Sequence, residues 1–198
     1  MATISKTAGT VVLAHTAITH PGSVFGSAQS ITTDLEVTIH MRHSSVEATA
    51  NTNPGSFIVQ TSAKTSGDDA WTDYAQFTAS VVTDNTEAVT GTEAAGATVI
   101  ECASTTGYTA LTNIYFKNST LENSEWGKIK SIVANTSVTV VDGLTNAQTG
   151  STMHNNAEHF QCVIPASTVR YRVLFMHEGA TGANCDVLAW SVTANSIG

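Results

Sequence analysis

The segment Ala97–Met153, ATVIECASTTGYTALTNIYFKNSTLENSEWGKIKSIVANTSVTVVDGLTNAQTGSTM, reads as a self-contained run of short strands and turns. Strands are expected near Thr98–Ala103, Asn113–Lys117, Trp126–Ala134 and Ser137–Val141. Ala134-Asn135-Thr136, between two of them, has the composition of a hairpin turn. Gly107, Gly143 and Gly150 fall at further turns. The flanks have a different texture, with LEVTIHM (Leu35–Met41) before and TVRYRVLF (Thr168–Phe175) after. Neither flank looks complete alone, so one β unit is expected inside another.

Helical periodicity is nearly absent, and the abundance of Thr and Val suits pleated strands. In Leu35–Arg42, Leu35, Val37, Ile39 and Met41 share one face, while Glu36, Thr38, His40 and Arg42 share the other. In Val169–Met176, Val169, Tyr171, Val173 and Phe175 share a face. The opposite face begins with Arg170 and Arg172 and ends with Leu174 and Met176, a change from charged to apolar. These four residues are the candidate interface, because Leu174 and Met176 call for cover by the insert, its connecting arm or another subunit. Further strands are expected at Thr10–His15, Ser56–Ala63, Trp71–Ser80, His159–Ile164 and Asp186–Thr193, with turns at His20-Pro21-Gly22, Asn53-Pro54-Gly55, Ser66–Asp69 and Gly179–Gly182.

The fold class is therefore all-β, a sandwich-like main domain with a small inserted β-barrel or β-sheet module. Residues 1–86 and 157–198 are assigned to the main domain, 87–96 to a connecting arm and 97–153 to the insert. The polar stretch Thr83–Gly96 reads equally as an extended segment packed on another subunit.

Composition narrows function. The 198 residues include 32 threonines, and only 12% are charged, about half the usual share of roughly 25%. Eight Lys and Arg against 16 Asp and Glu give a net charge of −8. Nucleic-acid binding needs a basic face, and none is present in the sequence. No stretch approaches the roughly 20 apolar residues of a membrane span, and MATISKTAG lacks a signal-peptide core, so synthesis in a cytoplasm is expected. Cys102, Cys162 and Cys185 read as buried small hydrophobes, with a Cys162–Cys185 bridge open only if their strands pair.

Motifs for chemistry are missing. His40 and His43 form HxxH, but on a strand they face opposite sides and cannot share an ion. A composite metal site using His15, His20, His40 or His43 is the remaining arrangement of that kind. No GxSxG elbow, Walker A lysine or GxGxxG is present. Asp68, Asp69 and Asp73 lack EF-hand spacing. No enzyme activity, metal, nucleotide or other cofactor is expected. Trp71 and Phe77 share strand parity and Tyr74 has the opposite parity, which leaves a sugar-binding face as a minority reading.

The stretch PGSFIVQTSAKTSGDDAWTDYAQFTA (Pro54–Ala79) resembles a recurrent segment of virion structural proteins from tailed bacteriophages: a strand ending in Q-x-S, an acidic turn, then a Trp-led strand. Thr168–Ala194 looks like their closing hairpin. Gly107–Phe116 and Val138–Leu144 are similar to strands of small β modules found inside such proteins. The resemblance implies a capsid decoration (cement) protein on the outer capsid surface of a virion. Its implied partners are the major capsid protein and other copies of itself, a trimer being favoured. A tail or baseplate component and a carbohydrate-binding module are the alternatives.

Overall fold

The computed structural model describes residues 3–31, 36–47, 53–67, 71–81, 83–178 and 183–197; Leu35, Asp68, Asp69 and the turn expected at 179–182 lie outside them. The chain is nearly all β. The strands before the insert are β1 (Thr3–Ile18), β2 (Gly22–Phe25), β3 (Gln29–Ser30), β4 (Glu36–Ser45), β5 (Ser56–Ser62) and β6 (Thr72–Thr78). Next come β7 (Thr86–Ala88), β8 (Thr92–Glu93), β9 (Val99–Glu101), β10 (Asn113–Lys117), β11 (Glu125–Val133), β12 (Ser137–Val140), β13 (Gln148–Thr149) and β14 (Thr152–His154). The chain then returns with β15 (Ala157–Ile164), β16 (Arg170–His177) and β17 (Cys185–Ile197).

Two sheets form the sandwich. One has the order β1-β17-β4-β15, and the other β2-β16-β5-β6 with β3 alongside β16. Period-two alternation fills the space between them. Val37, Ile39 and Met41 of β4, Val187 and Ala189 of β17, and Cys162 and Ile164 of β15 are buried in one cluster with Phe57 and Val59 of β5 and Tyr171, Val173 and Phe175 of β16. Cys162 and Cys185 do not lie on paired strands, because β4 separates β15 from β17, and all three thiols are free and buried.

The insert has its own core. Its sheet runs β7-β14-β10-β11-β12-β9, and a bridge between Val89 and Cys102 joins its two edges. Thr90 N–H also donates to Glu101 O at 2.9 Å. These contacts close the sheet into a small barrel around Ile100, Ile114, Phe116, Ile129, Val138, Val140 and Met153. Closure leaves no open edge and lets a small module enclose a core. Asn135, with φ 51°, makes the β11–β12 turn, a backbone region that Asn tolerates. Residues 87–96, read from sequence as an arm, contribute to β7 and supply β8, which pairs with β13.

The two sandwich sheets meet at the corner after β2. Gly26 N–H donates to Val173 O and Ser27 N–H to Val12 O, at 2.8 and 2.9 Å. A Cβ on Gly26 would lie 2.3 Å from Val12 O and 2.8 Å from Val173 O, both backbone atoms. Gly26→Ala must therefore move one sheet against the other. We expect a loss of at least about 1–3 kcal/mol in denaturant unfolding; a neutral result would show that this corner is not a tight contact.

Candidate functional site

The strongest polar cluster lies where the barrel meets the sandwich. Along β17, Cys185, Val187 and Ala189 turn inward, so Asp186 points to the outer face. It is nonetheless fully buried, because β10 lies over it. Tyr115 Oη and Lys117 Nζ each donate to Asp186 Oδ2 at 2.5 Å. Tyr115 and Lys117 are two residues apart on β10, the spacing of one strand face. His15 Nε2 lies 3.0 Å from Tyr115 Oη, and Trp126 Nε1 donates to His43 O at 3.4 Å. Burial, followed by the neighbouring carboxylate of Asp186, raises the Tyr115 hydroxyl far above its ordinary range. It remains a neutral donor. The cluster fixes the barrel on the sandwich.

The chain crosses between the two units through a second buried pair. His154 Nδ1 is 2.5 Å from Asp84 Oδ2, and Tyr108 Oη donates to Met153 O at 2.8 Å. Beside the junction, a groove of about 400 Å³ runs between the barrel and the outer face of the sandwich, lined in part by Arg42, Trp126, Lys128, Asp142 and His159. Glu125, also in its wall, is committed to Thr145 N–H, Asn146 N–H and Gln148 Nε2.

The four residues predicted as an interface lie on the outer face of the other sheet. Arg170 and Arg172 both stand over the Trp71 ring, at 4.7 and 4.4 Å from its centre. Arg170 donates to Lys64 O and Gly67 O, and Arg172 Nε donates to Gln60 Oε1 at 2.7 Å. Arg172 also lies 5.8 Å from the Phe25 ring centre, and Phe25 is 62% exposed. Leu174 is buried, in a cross-strand row between Phe25 of β2 and Ile58 of β5. Met176 is half-buried. The structure thus adds Trp71 and Phe25 to the predicted set. Phe25 sits in a strand of only four residues, too short to show a period along the chain.

Trp71 and Phe77 do not share a face. Phe77 packs on the core opposite Phe57, whereas Trp71 stacks with the outward arginines. A β-bulge between the pairs Val59–Ala75 and Gln60–Asp73 shifts parity by one residue at Tyr74. With both guanidinium groups over its ring, Trp71 presents a cationic surface rather than a bare sugar platform.

His40 and His43 face opposite sides of β4: His43 is fully buried in the sandwich, and His40 is half-buried on the outer face. Among the described residues, no group of three or more His, Cys, Asp or Glu is placed to hold a metal ion. Burial raises the Cys185 thiol far above its ordinary value, which removes it as a nucleophile at neutral pH. No helix among the described residues is long and apolar enough to cross a membrane. No family model, curated protein or solved structure matches the chain.

Two outcomes follow from the buried polar groups. Lys117→Met leaves Asp186 without its cation and should cost about 3–5 kcal/mol in unfolding free energy. Tyr115→Phe removes one charge-assisted bond and should cost about 1.5–3 kcal/mol. Equal stability of both variants and the wild type would show that the junction is not held by this carboxylate. Stability should also fall as pH is lowered from about 7 to about 5. Burial holds His15, His40, His159 and His177 below their ordinary value of 6.5, so the unfolded chain binds protons that the folded chain does not. Glu158 acts in the same sense further down, as pH falls towards its lowered value: burial raises it, but bonds from His43 and Ser80 outweigh that. Asp84 opposes the trend, because burial raises it despite His154. Thermal melts across this range would check the sign.

Proposed function

We propose that this chain is a structural virion protein of a tailed bacteriophage that binds the outer capsid surface and stabilises the shell by bridging capsomers. The observation that carries this reading is the outward face of β16. Arginine and aromatic side chains are the residue types that dominate protein interface energetics. Here Arg170 and Arg172 are held in place by Trp71, Gln60 and backbone carbonyls, beside an exposed Phe25. Side chains fixed before contact lose little entropy on binding. The low charge and the many Thr residues suit repeated contacts in which few ions must be desolvated.

The partners are the major capsid protein and further copies of this chain, with a trimer favoured. Repeated attachment at symmetric sites raises avidity without strong individual contacts. A net charge of −8 repels packaged DNA and favours the outside of the shell.

The test is a phage lacking this chain, complemented with wild-type protein, Phe25→Ser or Arg172→Ala. Heads without it should assemble but open at lower temperature, and wild-type protein should restore them. Phe25→Ser uncovers part of Leu174, so it should cost the free chain about 1 kcal/mol, less than a core replacement, while weakening binding of the folded protein to heads. Leu174→Ser, by contrast, should destabilise the free chain by about 2–4 kcal/mol. Heads that are equally robust without the protein, combined with failed tail assembly or adsorption, would instead support the tail reading.

A further inference from the structure

The outer face of the four-stranded sheet carries another constellation, away from Arg170 and Arg172. His40 of β4 lies opposite Gln161 of β15, and His159 of β15 lies opposite Arg42 of β4, so the two histidines are diagonal neighbours on one face. His40 Nδ1 and His159 Nε2 are 3.2 Å apart. Trp190 of β17 orients both rings. Its centroid is 5.1 Å from that of His40, with 9° between the planes, and 5.8 Å from that of His159, with 18°. His40 is half-buried at a depression that also includes Glu36 and Gln161, and the exposed His159 lines the neighbouring groove beside the barrel.

The spacing is that of a chelate. Two imidazole nitrogens bound to one tetrahedral ion at about 2.0–2.1 Å stand about 3.3 Å apart. His40 takes its partner from the neighbouring strand rather than from His43 on its own, which resolves the parity problem of HxxH. We propose that His40 Nδ1 and His159 Nε2 form a two-point site for a first-row divalent transition ion, of the copper, nickel or zinc class, with water completing the coordination. Imidazole nitrogens suit these ions, whereas calcium and magnesium require oxygen ligands.

Binding uses neutral rings. His40 coordinates through Nδ1 with its proton on Nε2, and His159 through Nε2 with its proton on Nδ1. The bond between the rings places a proton on one of the two ligating nitrogens, so that ring moves its proton to its other nitrogen as the ion binds; no net proton is released, and the bond between the rings is given up. Arg42, which lies over Trp190 at 5.1 Å, repels a cation and sets a modest affinity. The other histidines are committed elsewhere: His15 to Tyr115, His154 to Asp84, His177 to Asn53 O, and His43 in the core beside Glu158, while the Nε2 of His20 is buried.

The test is a Cu²⁺ titration of the purified chain followed by tryptophan fluorescence, since a bound cupric ion quenches a stacked indole. We expect saturable quenching at one ion per chain, weakened at least about tenfold by His159→Ala or His40→Ala, as a chelate that loses one arm requires. Circular dichroism of these variants should match wild type, because neither ring lies in the core. Gln161→His adds a third imidazole opposite His40 and should tighten binding by at least about tenfold. Quenching that does not saturate, or titrations in which wild type and His159→Ala coincide, would overturn the site and leave an ordinary hydrogen bond between two histidines.

Discussion

A carboxylate withdrawn from water needs a cation or several donors close by, and Asp186 finds both across the junction between barrel and sandwich. Lys117 and Tyr115 come from β10, and Asp186 comes from β17. The fully buried Asp186 would not be stable in its position without the other two. The groove lined by Arg42 and Trp126 exists because the barrel stands at that one end of the sheet. The remainder of the same outer face, with His40, His159 and Trp190, stays beside it rather than beneath it. One ionic contact thus divides a single sheet face into a covered part and an open part.

Long strands were legible because burial imposes a period. Val37, Ile39 and Met41 announce the inner face of β4, and Tyr171, Val173 and Phe175 that of β16. β10 was read with its bounds unchanged, Asn113–Lys117. Strands of two to four residues, such as β2, β3, β7, β8, β13 and β14, are too short to show any period. Their pairing partners fix them, and those lie far away in sequence. The bulge at Tyr74 was invisible for a related reason: parity counted along one strand assumes an unbroken ladder.

The candidate surface was half legible. The arginines at 170 and 172 and the apolar pair after them show as a change of texture within one strand. What holds the arginines does not, because Trp71 reaches them only through the strand order β16-β5-β6. Leu174 looks exposed when β16 is read alone and is buried once Phe25 and Ile58 flank it. A face that is charged in sequence becomes a cationic aromatic surface in space.

The pairing of β1 with β17 sets an order of events during synthesis. Thr3 is matched with Ile197, and the ladder continues inward to Ile18 with Cys185. β1 therefore leaves the ribosome long before the strand that completes it. The barrel faces no such delay, because β7 to β14 are contiguous in the chain and closed on one another. Local closure precedes distant closure when loop entropy must be overcome first. The barrel can fold while β1 still waits as an open edge, and the sandwich then assembles around a finished part. Until β17 arrives, that edge stays open to pairing with a neighbour.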